Sequence, residues 1–336
     1  EPLANVWWEA YFTDPLRVND PANYANSIED LLIWYINNAR TSIHIAAFEL
    51  NLTPVAEALV AAHNRGVDVR WITDDENGLE ADLDPGRGQF ALLQNAGIPV
   101  QVDNRSALMH HKFWVFDGLT VWTGSTNITA NGIFAQDNNV LILHVPEVAA
   151  MYERQWQDMW AGTFGPDAPS TIAQQGLLVE GRPLLVLFSP EDHVVDQLIG
   201  LVNEARYSIR FLAFSFTDYP LAEAMIRRAQ AGVDVAGVYE TVGSETEFAE
   251  LRTSRCSGVP VRQDGNPGFM HHKVIVIDER LVVTGSLNFS SSADEENNEN
   301  VVILDNPELA ALYLQEFTRV WLLGRAPDPA AFPCLP

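Results

Sequence analysis

The residues best suited to chemistry come in two matching sets. His110, Lys112, Asp117, Gly124, Ser125 and Asn127 follow the pattern H-x-K-x4-D-x6-G-S-x-N, and His271, Lys273, Asp278, Gly285, Ser286 and Asn288 repeat it. At ordinary residue frequencies six specified positions coincide at roughly 10⁻⁸ per starting point, so a double match excludes chance. Histidine beside lysine suits phosphoryl chemistry: an imidazole can attack phosphorus or move a proton, and an ammonium can hold the anionic oxygens. The lysines are distinctive in a second way. Of 20 basic residues only Lys112 and Lys273 are lysine and the other 18 are arginine. Where a generic cation serves, this chain uses guanidinium, so the two motifs demand the compact ammonium itself.

Strand geometry accounts for the spacing. Side chains two apart share a face, so His110 points with Lys112 and His271 with Lys273, while His111 and His272 point away as packing or hydrogen-bonded second-layer residues. Ser125, Asn127, Ser286 and Asn288 are also spaced by two and can donate to phosphate oxygens or to neighbouring strands. Asp117 and Asp278 follow their strands by an odd step, beside turn sequences, a position suited to holding the turn.

The elements that must position these residues are themselves duplicated. ARTSIHIAAFELNLTPVAEALVAAHNRGVDV from Ala39 aligns without a gap with ARYSIRFLAFSFTDYPLAEAMIRRAQAGVDV from Ala205, and MHHKFWVFDGLTVWTGSTNIT from Met109 with MHHKVIVIDERLVVTGSLNFS from Met270. Each copy reads as strand, helix, strand, helix, a strand pair and a closing helix, with helices ending before Gly66 and Gly232: an α/β unit. VWWEAYF from Val6 resembles PLLVLFS from Pro183 and reads as a strand. Trp156, Trp160 and Trp321, at helical spacing in the closing segments, are expected in the core. A Gly-, Pro- and Ser-rich connector from Ala161 places the boundary near residue 170, giving halves 1–170 and 171–336.

The paired motifs resemble the HKD signature of the phospholipase D superfamily, and the resemblance covers nearly the whole chain. It implies two homologous α-β-α halves about a pseudo-twofold axis with one composite active site. It further implies His110 as nucleophile through a covalent phosphohistidine, His271 as general acid and base, and phosphate held by Lys112, Lys273, Asn127 and Asn288. Ser125 and Ser286 join the substrate-binding set, Asp117 and Asp278 the catalytic signature, and no metal or cofactor is required. Members also carry a carboxylate about 28 residues after the histidine, able to fix the ring's tautomer. Glu299 stands there in copy two; in copy one the position is Asn138, with Asp137 adjacent.

The motif wording looks most like the compact bacterial nuclease branch, so a nucleic-acid phosphodiester is the first expectation and a glycerophospholipid the alternative. Charge argues for the alternative: at a formal net charge of −25 the average surface repels polyanions. Trp7, Trp8, Phe134 and Phe269 are the apolar candidates for a lipid interface. No apolar run reaches the roughly 18 residues that a bilayer span needs. Cys256 and Cys334 leave open one bridge or two thiols. The loop DDENGLEADLDPGRG from Asp74 holds six carboxylates and could bind calcium, but it lacks the regular EF-hand ligand spacing and reads as solvated, as does the stretch SADEENNEN from Ser292 apart from Glu299. His44, His63, His144 and His193 read as satisfied or exposed. Glu1 without a preceding leader suits a processed, secreted or periplasmic protein. Fusion of two halves removes the need for a homodimer, so a monomer without an obligate protein partner is expected.

Overall fold

In a computed structural model of the protein, residues 6–170 and 176–334 are described, and the chain divides into two compact units, Glu1–Pro169 and Ser170–Pro336. Part of the expected connector, 171–175, lies outside the described residues.

Unit one contains strands β1 (Trp8–Phe12), β2 (Ser42–Ala47), β3 (Asp68–Thr73), β4 (Val100–Val102), β5 (Lys112–Phe116), β6 (Thr120–Gly124) and β7 (Asn139–Leu143). Its helices are α1 (Ile28–Asn38), α2 (Thr53–Asn64), α3 (Gln89–Asn95), α4 (Ala130–Phe134) and α5 (Pro146–Trp160). The strands form one mixed sheet in the order β1-β7-β6-β5-β2-β3-β4, in which β2, β3 and β4 run parallel and the remaining pairs antiparallel.

Unit two contains β8 (Gly176–Val179), β9 (Arg182–Ser189), β10 (Ser208–Ala213), β11 (Asp234–Tyr239), β12 (Val261–Gln263), β13 (Lys273–Ile277), β14 (Leu281–Gly285) and β15 (Glu299–Asp305). Its helices are α6 (Val194–Glu204), α7 (Tyr219–Gln230), α8 (Thr241–Ser244), α9 (Leu251–Cys256), α10 (Ser291–Glu295) and α11 (Pro307–Leu323). The sheet order β12-β11-β10-β13-β14-β15-β9-β8 repeats that of unit one strand for strand, with β8 added at the edge.

Local sequence explains the elements. Proline in the first turn opens α2, α5, α7 and α11, where its missing N–H leaves no helical bond unmade. The chain leaves α2 and α7 through Gly66 and Gly232 at φ +92° and +95°, a left-handed conformation suited to glycine. Alternation along the strands then builds a helix layer on each face. In unit one Ile43, Ile45, Trp114 and Phe116 pack with α1, α2 and α3, whereas His44 stacks on Trp156 of α5 at 4.1 Å and Phe113 meets Tyr152 at 4.9 Å. Each fully buried Phe, such as Phe113 or Phe211, contributes about 1.5–3 kcal/mol of transfer energy.

Two expectations change. Trp156 is core, but Trp160 and Trp321 are half-buried and lie under the guanidinium groups of Arg70 and Arg262. Each closing helix ends at the rim of its sheet, where an indole is covered by a long cationic side chain instead of by apolar residues. Among the four apolar interface candidates, Trp7 and Trp8 are half-buried, the latter in β1, Phe134 is buried in α4, and Phe269 is exposed. Cys256 and Cys334 are bonded, and closing a separation of 78 residues stabilises the fold by on the order of 4 kcal/mol in the chain-entropy account. No helix among the described residues is long and apolar enough to cross a membrane.

Candidate active site

The two H-x-K motifs occupy the same place in each unit. β5 and β13 begin at the lysine, and the histidine two residues earlier sits on the extended lead-in. The lysines are paired in register with Ala47 of β2 and Ala213 of β10, so the residue after each inner strand, Phe48 or Phe214, stands beside the motif. His110 meets the Phe48 ring edge-on at 4.9 Å and the Lys112 Nζ lies over that ring at 5.1 Å. In unit two the corresponding distances are 4.5 Å for His271 and 4.6 Å for Lys273 against Phe214. Each ammonium also donates to the backbone carbonyl of its own histidine at 2.8 Å. The ring and the carbonyl thus fix both partners of the pair on one face, and the aromatic face stabilises the desolvated cation. Neither phenylalanine was singled out from sequence, although both fall in one column of the self-alignment.

The middle histidines turn the other way. His272 Nε2 bonds Glu316 Oε1 of α11 at 2.9 Å, and Arg319 donates to both oxygens of that carboxylate. Burial opposes ionisation of Glu316, but the bonds from Arg319 and His272 outweigh it and hold its carboxyl at about 2. In unit one the aligned residue is Gln155, and His111, wholly buried, is kept neutral by desolvation first and then by the charges of Lys112 and His110.

Asn127 and Asn288 remain half-buried after β6 and β14, each with its Oδ1 buried and without a hydrogen-bond partner among the described residues. Two residues on, Thr129 and Ser290 cap α4 and α10. Of the two roles expected of the serines, the structure shows the bonding to neighbouring strands. Ser125 donates to Asn138 Oδ1 at 2.8 Å and accepts from the Asn139 N–H at 3.1 Å; Ser286 accepts from the Asn300 N–H at 2.9 Å. Both are completely buried, so they tie neighbouring strands together and do not present hydroxyls to a phosphate.

Asp117 and Asp278, part of the catalytic signature by resemblance, stand where their spacing put them, at the turns. Each ends its strand at the far end from the lysine, roughly 16 Å away along the chain at 3.3 Å per residue. Asp117 accepts from the backbone of Arg40, Thr41 and Ser42, and Asp278 from Arg206, Tyr207 and Ser208. Partial burial opposes ionisation of both, but these amides outweigh it and hold each carboxyl below its ordinary range. Their work is to fasten the β5–β6 and β13–β14 turns to the starts of β2 and β10.

Glu299, wholly buried, opens β15 next to Asn300 on Ser286. Its counterpart Asn138 is held by the Ser125 hydroxyl and donates to the Gly132 carbonyl at 2.8 Å. Asp137, adjacent, is buried as well. Behind the first motif, Asp74 Oδ2 accepts from the N–H of Met109, the residue before His110. Burial first, then the charges of Asp74 and Asp75, push the nearby Asp103 carboxyl up to about 7.

Comparison with known proteins follows the same duplication. A family model described as "Cardiolipin synthase, PLD-like domain" matches residues 32–160 and again 198–321. Human mitochondrial cardiolipin hydrolase is 34% identical over 130 residues, 39% of this chain and 52% of the relative, so the chain spans about half the length of that curated protein. A phospholipase D from Rickettsia bellii (strain RML369-C) is 33% identical over 139 residues, 41% of this chain and 68% of the relative. The crystal structure of phosphatidylserine synthase from Haemophilus influenzae Rd KW20 superposes over 93% of this chain and 86% of its own with a TM-score of 0.67 at 16% identity, a likeness of fold.

Proposed function

The chain belongs to the phospholipase D superfamily, both of its copies being matched by the PLD-like domain, and from that membership we propose that it is a phosphodiesterase working through a covalent phosphohistidine. The observation that carries the reading is the repeated pairing of an imidazole and a buried ammonium on one phenylalanine, Phe48 or Phe214. In this reading His110 attacks phosphorus, forming a P–N bond as the P–O bond to the leaving alcohol breaks, and His271 gives that oxygen its proton. Water then attacks, His271 takes its proton, and the P–N bond breaks to release a phosphomonoester. Lys112 and Lys273 neutralise the equatorial oxygens, and Asn127 and Asn288 donate their amide N–H groups to them. Glu299 supports the imidazole of its own copy. The step requires no metal ion or cofactor.

The substrate we propose is a glycerophospholipid head-group ester. A surface of net charge −25 meets a zwitterionic lipid without the repulsion that a nucleic acid strand encounters, and exposed Phe269 stands two residues before His271. Similar proteins are named cardiolipin hydrolase and phospholipase D. This reverses the order that the motif wording alone suggested. A nuclease remains the second reading, favoured by that wording and by the ability of Phe269 to stack on an unpaired base.

The test compares choline release from phosphatidylcholine with cleavage of single-stranded DNA, both in EDTA, for the native chain and for His110→Ala, His271→Ala, Lys112→Arg and Lys273→Arg. Choline release that falls by at least about a hundredfold in every variant, with DNA left intact, is expected. Activity unchanged in His110→Ala removes the mechanism, and DNA cleavage without choline release returns the nuclease reading to first place.

A further inference from the structure

Three carboxylates converge behind the first motif. Asp74 and Asp75 follow β3 and Asp103 follows β4, and because these strands are parallel neighbours their ends arrive side by side. One oxygen of each lies within 4.8 Å of the other two. The expectation that this acidic loop is merely solvated holds for Glu76 and Asp84, but Asp74 is 1% exposed and Asp103 7%. Asp74 is bonded at both oxygens, Oδ1 by the backbone and side-chain N–H of Asn77 and Oδ2, which keeps a second lone pair, by Met109. Asp103 is not. Its Oδ1 accepts one long bond of 3.3 Å from the Asp75 N–H, and its Oδ2 is buried with no hydrogen-bond partner among the described residues. Folded proteins avoid leaving such an atom unpaired.

The duplication supplies a control within the same molecule. The aligned residues of unit two are Glu240, Thr241 and Asp264, so a hydroxyl stands where unit one has its third carboxylate. There Glu240 accepts from the N–H groups of Val242 and Gly243, and Asp264 from those of Thr241 at 2.7 Å and Asn266 at 3.1 Å. The same fold position is therefore satisfied by backbone amides in one copy, and carries an additional negative charge and an orphaned oxygen in the other.

We propose that Asp74, Asp75 and Asp103 form a calcium site, with Asp103 Oδ2 as its committed ligand. The donors are all oxygen, which selects a hard cation, and an irregular set of carboxylates completed by water suits Ca²⁺ better than the strict octahedron of Mg²⁺. The ion takes no part in the displacement. Through Asp74, which holds the Met109 N–H, it braces the segment that delivers His110. The site stands independently of the phosphodiesterase reading, because its primary readout is binding.

The experiment is calorimetric titration of the full chain, stripped with EDTA and returned to chelator-free buffer, with CaCl₂ or with MgCl₂. One Ca²⁺ per chain is expected, weakened at least about tenfold by Asp103→Asn and by Asp75→Asn, and unchanged by Asp264→Asn in unit two. In thermal denaturation Ca²⁺ raises the midpoint of the native chain and not that of Asp103→Asn. Half-buried Asp75 gives a second variant should Asp103→Asn fail to fold. Absence of saturable Ca²⁺ binding, a preference for Mg²⁺, or Ca²⁺ binding that survives the folded Asp variants would overturn the assignment; a chain that takes up only a proton at Asp103 does so too.

Discussion

At the scale of single residues, the two copies are alike where a substrate phosphate would be held and unlike one layer behind. Both keep His, Lys and Asn, and both stack the first two on a phenylalanine. Behind them, unit two has the carboxylates Glu299 and Glu316 where unit one has the amides Asn138 and Gln155. Glu316 bonds His272 in unit two, whereas the aligned Gln155 is uncharged, so the two copies differ in charge behind their motifs. Glu316 also stabilises the fold. Its carboxyl is held at about 2 against an ordinary 4.5, so the shift is worth on the order of 3 kcal/mol. A folded value below the unfolded one stabilises in full above about pH 5.5, and the gain fades as pH falls through 4.5 towards 2. Glu316→Gln should therefore lower unfolding free energy at neutral pH and differ progressively less from the native chain below that window. Urea titrations across pH check this, and a deficit that does not shrink in acid contradicts it.

At the scale of elements, the β6–β7 and β14–β15 contacts dictate the glycine of each G-S pair. Gly124 and Gly285 have φ of +137° and +156°, and a Cβ would fall 2.4 Å from the Asn139 carbonyl oxygen and 2.1 Å from that of Asn300. Backbone on a paired strand cannot move aside as a flexible side chain would. Gly285→Ala is expected to destabilise by at least about 3 kcal/mol, while Gly200→Ala in α6, with nothing near its Cβ, is neutral or stabilising. Chemical denaturation of the two variants measures the contrast, and a loss below about 1 kcal/mol for Gly285→Ala would show that the strands can part there. The glycine was legible as a motif letter; its reason became visible only once β15 was laid beside β14.

At the scale of the whole molecule, the net charge of −25 acts on any polyanionic ligand through a field that salt screens. Proteins that bind nucleic acid through basic surfaces lose affinity as salt rises. Here the sign is reversed: if DNA is cleaved at all, its KM should fall as ionic strength rises from about 0.02 to about 0.15 M, and KM for phosphatidylcholine should stay within about twofold. Initial-rate measurements at the two salt levels decide it. A KM for DNA that climbs with salt would reveal a local basic surface that the overall charge conceals.

The sequence by itself determined the duplication, the α/β class, the H-x-K parity and the demand for lysine, because each is written in spacing along one chain. Tertiary structure decided what depends on neighbours distant in sequence. It showed that Ser125 and Ser286 are bonded to adjacent strands, that Asp117 and Asp278 fasten turns, and that Phe48 and Phe214 seat the histidine–lysine pairs. It also placed Asp103 against Asp74 and Asp75, across the parallel pair β3 and β4. A hydroxyl or carboxylate is committed to whichever partner the fold brings within about 3 Å, and no local pattern specifies which partner that will be.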